Sequence, residues 1–218
     1  MEDYRRDFQD LYRHPDVVVP AGAAYRAGAE WILNDIEGQI RGGTTFNAGE
    51  TIQMGWMTLL ISAKQSGELE ILEPKFGSMP VQWVRGANNT IRDFTIQREV
   101  CDQVRVDTAY PSMRQSAVTS PNFMKDNQEF ELSRDASKGN DSGWVFREGG
   151  YRGSNGTLSS LYQIAIAVPA VIPFLALPPG SVVKRSAVGL KISVGRSEIS
   201  DKESDFLGRL LGSVYFHG

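Results

Sequence analysis

Three residues of this 218-residue chain stand in an order that metal-dependent phosphodiester hydrolysis uses. Pro15-Asp16, followed at a distance by Glu73-Pro74-Lys75, reproduces in outline the P-D…E-x-K set of restriction-endonuclease folds. There two carboxylates hold a divalent cation and a lysine stands by the attacking water. The set works only if Asp16, Glu73 and Lys75 project from adjoining strands, and Pro74 inside the triplet would disrupt an interior strand. The simpler expectation is a strand end carrying a solvated Glu73 and Lys75. A metal-dependent nuclease is therefore the alternative reading and not the leading one.

Other chemistry is thinner. His14 and His217 lie near opposite termini, form no i, i+4 metal-ligand pair, and are expected at the surface. Cys101 is the only cysteine, which excludes an internal disulfide and a Cys-rich zinc site. On an apolar helical face it is expected to be a buried, inert thiol, as in a reducing cytoplasm. Gly149 to Gly156 has the glycine content of a phosphate cradle without G-x-G-x-x-G spacing or a G-K-[ST] ending, so a mobile turn is expected and no cofactor follows. Trp31, Trp56, Trp83 and Trp144 read as core, with at most one available as an interface anchor. Carboxylates cluster at Glu68, Glu70 and Glu73, at Asp141 and Glu148, and from Glu198 to Asp205. Each is by default a solvated face. Against a nuclease partner, such a patch would compete with phosphate for a basic cleft and speed association.

The elements that would position these residues follow from patterning. Phe8, Leu11 and Tyr12 predict one face of a short helix ended by Pro15, in a polar arm over residues 1 to 16 that docks or frays. Val17 to Val19 opens an extended stretch. Thr51 to Ser62 predicts a strand that turns through Lys64 to Gly67 into Glu68 to Leu72, where Glu68 and Glu70 alternate with Leu69 and Ile71. Val81 to Val84 adds a further strand. Ile91, Phe94, Val100, Cys101 and Val104 predict a helix over residues 90–104, with Asn88-Asn89-Thr90 as capping residues.

Residues 107–128 are rich in Ser, Thr, Asn and Pro and read as a linker or long surface loop. Phe130 to Leu132 opens the second unit, and a polar loop precedes the strand around Trp144. Residues 153–183 carry no charge, but Pro169 and Pro173 interrupt the apolar stretch. A buried strand leading into a proline-punctuated turn is expected there, not a membrane span. Val182-Val183 and Leu190 to Val194 supply strands before the acidic cluster and an apolar tail from Phe206 to Phe216. No fixed-period repeat is present.

The net charge of −3 argues against direct nucleic-acid binding, and a basic protein partner suits the balance better. The first ten residues contain no apolar signal core, so a cytoplasmic protein is expected. The fold expected is α+β, with antiparallel sheets and a few helices in two packed units. The N-terminal unit spans 1–106 and the C-terminal unit 129–218.

One constellation points to a family. Asp141-Ser142-Gly143-Trp144-Val145-Phe146 reads as a half-buried strand, Trp144 and Phe146 on one face and Val145 and Arg147 on the other. It is followed by Pro169, Pro173, Phe174 and Leu175 and then by Pro178-Pro179-Gly180-Ser181. In this order the segments resemble the C-terminal immunity domain of bacterial polymorphic-toxin systems, with its D-S-G-W-x-F strand, P-x-x-x-P-x-L segment and P-x-G-S. The resemblance covers about residues 129–188. Residues 17–105, with Gly55-Trp56, Leu72-Glu73-Pro74 and Asn88-Asn89-Thr90, are similar to the unit that often precedes this domain. Lys138 to Asn140 and Tyr151 to Asn155 depart from the domain's acidic loops. The resemblance implies a non-enzymatic α+β protein that silences a cognate toxin delivered between bacteria, usually by type VI secretion; it leaves the oligomeric state open, and a monomer is the expectation. A nuclease toxin is the expected partner, contacted through Asp141, Trp144, Glu148, Glu68 and Glu70. A ligand-binding scaffold is the remaining alternative.

Overall fold

The polar arm does not fray. In the computed structural model, which describes residues 1–125 and 128–217 apart from the side chain of His217, it forms strand β1 (Glu2–Arg6). A single helical turn, α1 (Gln9–Tyr12), leads into β2 (Val17–Ala21), which is buried throughout and pairs antiparallel with β1. Phe8 is fully buried, but Leu11 is 68% exposed, so the expected apolar face of α1 is not formed. The turn ends at Arg13, whose left-handed backbone stops the helix before a second turn can present Leu11 inward. His14, expected at the surface, is 3% exposed: Nε2 accepts the Phe46 N–H at 2.9 Å and Nδ1 lies 2.7 Å from the Pro15 carbonyl. That pairing requires the tautomer with the proton on Nδ1. The expectation for His217 lies outside the described side chains.

The chain divides into two compact units, Met1–Phe94 and Thr95–Gly218. In the first, helix α2 (Arg26–Arg41) turns Ile32, Leu33, Ile36 and Ile40 toward a mixed sheet. The sheet contains β3 (Thr51–Met54), β4 (Met57–Ala63), β5 (Leu69–Pro74) and β6 (Trp83–Arg85) in the order β1-β2-β5-β4-β3, with β6 on β5. The strand expected over 51–62 is two strands, broken at Gly55, whose φ of +60° reverses the chain. The β4–β5 hairpin and the alternation of Leu69 and Ile71 with Glu68 and Glu70 are as expected. Helix α3 (Asn88–Val104) begins in this unit, where Ile91 lies so close to Gly28 of α2 that a Cβ there would sit 2.1 Å from it.

The second unit is built on seven strands: β7 (Ser116–Thr119), β8 (Phe130–Arg134), β9 (Asp141–Glu148), β10 (Thr157–Ser160), β11 (Ser181–Ser186), β12 (Gly189–Val194) and β13 (Ser197–Ser200). Their order is β10-β7-β9-β8-β11-β12-β13, with β7 parallel to β9 and the other pairs antiparallel. The fold is α+β in two units. Two expectations are corrected here. The stretch 107–128 is not simply a loop, because β7 lies within it and buries Ala117 and Thr119. The uncharged segment is not a buried strand: after β10 it forms α4 (Leu161–Ala167) and a 3-10 turn at Pro169–Phe174. Ser160 and Gln163 supply a capping box that starts α4, and Pro169 opens the turn at a position where its missing N–H costs nothing. Helices α5 (Asp205–Leu211) and α6 (Val214–His217) complete the unit. Among the described residues, no helix is long and apolar enough to cross a membrane.

Candidate functional site

The D-S-G-W segment opens β9, and each of its residues has a local task. Asp141 Oδ1 accepts the Gly143 N–H at 2.9 Å. The Ser142 hydroxyl donates to the Ser116 carbonyl at 2.8 Å and accepts the Trp144 N–H at 3.3 Å, fastening β9 to β7. Gly143 has φ of +78°, and a Cβ would sit 2.1 Å from the Asp135 carbonyl oxygen, so only glycine fits. Trp144 is fully buried beside Phe146, and its Nε1–H donates to the Leu175 carbonyl at 3.2 Å. Val145 and Arg147 face the other way and are half-buried. The alternation expected from the sequence is the one observed.

Trp144 reaches the proline segment with help from a residue that the motif does not include. Arg134 at the end of β8 is 4% exposed and lies 5.5 Å from the Trp144 ring centroid. Its guanidinium donates to the carbonyls of Ala109, Leu175, Leu177 and Ser142. Burial without a carboxylate partner pushes its pKa down to about 10. The same stretch is held from α3: Gln97 Nε2 donates to the Ile172 carbonyl at 2.8 Å and Cys101 Sγ lies 3.5 Å from the Ala176 carbonyl. Ala109 N–H reaches that same Ala176 oxygen, and Gly180 N–H bonds the Arg134 carbonyl. The two separated motifs thus meet, joined by Trp144 and Arg134. Sequence reasoning passed over Arg134, although its signal was present: Phe130, Leu132 and Arg134 share one face of β8 at period two, so an arginine there must find acceptors inside the core.

The five residues expected to touch a partner do not form one patch. Trp144 lies inside the core. Asp141 and Glu148 occupy opposite ends of β9, roughly 23 Å apart at the rise of an extended strand. Asp141 is exposed, whereas Glu148 is half-buried and its Oε2 accepts the Ser120 hydroxyl. Glu68 and Glu70 belong to the first unit and are internally paired. Lys64 lies 3.2 Å and Arg5 3.5 Å from Glu68, and Arg85 lies 2.8 Å from Glu70 while also bonding Asp3. Three carboxylates and three cations balance there, which leaves little net field to attract a basic partner. The Ser66 hydroxyl and Lys64 hold the Glu68 carboxyl below its ordinary pKa.

The metal-site residues are engaged in capping. Glu73, expected solvated, is buried at the end of β5, and its carboxylate accepts the N–H groups of Asn89 and Thr90 at 3.2 and 2.9 Å. It also accepts from the Asn89 amide and the Thr90 hydroxyl. A carboxylate at the first turn of α3 is where the helix dipole favours negative charge. The helix cap therefore comes from Glu73, while Asn88 Oδ1 accepts the Gly22 N–H. Asp16 Oδ1 accepts the N–H groups of Phe8 and Gln9 at the start of α1. Among the described residues, no group of three His, Cys, Asp or Glu side chains could hold a metal ion. Burial pushes the Cys101 thiol up to about 12, far from a nucleophilic thiolate near neutral pH. Of the four tryptophans, expected in the core with at most one exception, Trp56 and Trp144 are buried but both Trp31 and Trp83 are only half-buried, with Trp31 stacked on Phe94 at 3.8 Å between centroids.

Residues 96–189 match the family model of the Imm33-like domain, an immunity-protein-like family. The matched segment runs from α3 through β11 and contains both motifs and the contacts that join them. No curated protein and no solved structure matches the chain.

Proposed function

We propose that the chain is an immunity protein that binds a cognate antibacterial toxin and neutralises it by covering its active site or the path of substrate to it. The observation that supports this most is the junction of the D-S-G-W strand with the proline segment, inside the stretch that matches the immunity-like family. Binding alone suffices for such a role, and no side chain of the matched segment needs to react. At finer grain, we propose a nuclease effector delivered by type VI secretion as the target and the cytoplasm as the place of encounter. At the level of a single protein, the chain resembles TsiT, the immunity partner of the nuclease-type effector TseT, and the proposal follows that resemblance.

Co-expression with the product of the adjacent reading frame tests it. Growth rescue together with co-elution on a sizing column is the expected result. Toxicity without rescue or complex would overturn the reading for that pair. Degradation of cellular DNA by the toxin alone, suppressed by this chain, distinguishes a nuclease target from another toxin chemistry. Alanine at Asp141 or Glu148 is expected to weaken the complex, and loss of fold instead would assign both side chains to the scaffold.

A further inference from the structure

One end of β8, β9 and β11, with the turn that follows β9, encloses a concavity of about 190 Å³. Register builds its walls: Glu131 lies opposite both Arg147 and Lys184, and Phe130 opposite both Glu148 and Arg185. Glu129 and Arg152 complete the charged lining. The carboxylates of this lining are engaged. Glu129 Oε1 accepts the Ala187 N–H at 2.8 Å, Glu131 pairs with Lys184 at 3.1 Å, and Glu148 accepts the Ser120 hydroxyl.

The arginines are different. Among the described residues, none of Arg147, Arg152 and Arg185 forms an ion pair. Arg147 donates to the Ser133 hydroxyl at 3.2 Å, Arg152 to the Tyr151 carbonyl at 3.1 Å, and Arg185 lies 4.7 Å over the Phe216 ring. A guanidinium is a planar fork of donors that matches a carboxylate in two parallel hydrogen bonds, and these three leave that capacity unused. Arg185 is also partly desolvated, which lowers its pKa and increases what an anion would return.

We infer that this concavity seats an acidic side chain, Asp or Glu, of the toxin. The inference rests on the immunity reading above and names its contact surface. Four cations and three carboxylates line the hollow and leave one positive charge, the complement of a single carboxylate. A nucleic-acid backbone would bring a row of negative charges to a rim that already carries Glu129, Glu131 and Glu148, with no surplus of cations to meet them. Arg147 and Arg152 are thus positioned as contact residues of the second unit, beside the expected Glu148.

The test measures binding of the adjacent reading-frame product to full-length protein by biolayer interferometry at 50 and 300 mM NaCl. Arg152→Glu, on an exposed loop, and Arg147→Gln are each expected to weaken binding about tenfold, chiefly through the association rate for the exposed charge, with the loss shrinking at high salt. Arg196→Glu, exposed in the turn between β12 and β13 and away from both Asp141 and the hollow, controls for total charge and is expected to change binding less than about twofold. Thermal melts confirm that each variant folds. Affinities of both arginine variants within twofold of wild type would overturn the inference and leave the immunity reading standing.

If the wild-type chain shows no binding, the immunity reading fails, and the hollow is judged by NMR titration with an acetylated, amidated tetraglutamate peptide. Saturable shifts of the Arg147 and Arg152 Nε–Hε signals, lost in the variants, support a protein-carboxylate site. No saturable shift, or shifts with inorganic phosphate alone, overturns it.

Discussion

Replacing Arg134 with methionine removes the donor set that ties the proline segment to β8 while keeping an unbranched apolar stem of similar reach. Leu175 keeps a bond from Trp144 Nε1, but the carbonyls of Ala109 and Leu177 lose the side-chain donor that reaches them. A buried acceptor left unpaired costs about 1–3 kcal/mol, so two such groups give a loss of about 2–6 kcal/mol. Against this stands relief from burying a cation with no carboxylate nearby, the condition that holds the Arg134 pKa at about 10. Removing a buried charge of that kind returns on the order of 1–3 kcal/mol. The lost bonds win, for a net destabilisation of about 2–3 kcal/mol.

Urea unfolding measures it. With a slope of about 2 kcal/mol/M, the midpoint falls by about 1–1.5 M. Arg134→Lys keeps the charge but loses the fork that reaches four carbonyls on three chain segments, so most of the loss persists. A midpoint shift below about 0.3 M for the methionine variant would refute the reasoning, because the carbonyls would then have other partners or lie within reach of water.

Gly143→Ala is expected to cost more than about 3 kcal/mol or to abolish folding, since left-handed strain of about 1–2 kcal/mol adds to the clash with the Asp135 carbonyl. Gly139→Ala, also at positive φ but facing open space, carries the strain alone, and urea midpoints separate the two. Cys101 should resist a thiol-specific disulfide reagent at pH 8 until the protein unfolds, and rapid labelling of native protein would contradict its burial. Because Cys101 and Tyr110 are both raised to about 12, the unfolded chain releases their protons first, so stability falls as pH rises from about 9 toward 12. Arg134 acts with opposite sign from about 10 upward, so the decline between pH 9 and 10 belongs mainly to Cys101, and Cys101→Ala should flatten it in a series of thermal melts. Glu73→Ala is expected to lower stability by about 2 kcal/mol through loss of the α3 cap, with no change in Mn²⁺ binding by calorimetry; a Glu73-dependent metal site would revive the nuclease alternative.

The elements legible in the sequence were those whose own periodicity decides their burial. The β9 alternation, the β4–β5 hairpin and the face of α3 with Val100, Cys101 and Val104 are in place because each side chain's exposure follows from its position in one element. The failures came where a distant partner decides. Glu73 resembles a solvated strand end until α3 delivers the N–H groups it caps, and His14 resembles a surface residue until Phe46 supplies a donor. The segment 161–174 is apolar enough for a buried strand, and only the Ser160–Gln163 box and Pro169 favour a helix and a tight turn. Helix α2 went unassigned because Gly28 and Gly38 weaken its propensity, and packing of Ile32, Leu33, Ile36 and Ile40 on the sheet stabilises it instead.

The family resemblance at residues 129–188 was legible for a related reason, and its limits have a physical basis. Asp141 holds the bend, Gly143 fits beneath a carbonyl, and Trp144 fastens the proline segment, so the motif describes how the second unit closes on itself. That closure also draws in α3 through Gln97 and Cys101, which explains why the family match begins as early as residue 96. A residue whose hydrogen bonds and apolar surface are all consumed inside the fold has nothing left to offer a partner. Trp144 is in that position, and Glu68 and Glu70, paired with Lys64, Arg5 and Arg85, are close to it. Recognition requires groups with unspent capacity on the surface, and the guanidiniums of Arg147 and Arg152 are of that kind. The motif identifies the scaffold, and under the proposed immunity role the choice of toxin would follow the rim at the end of β9.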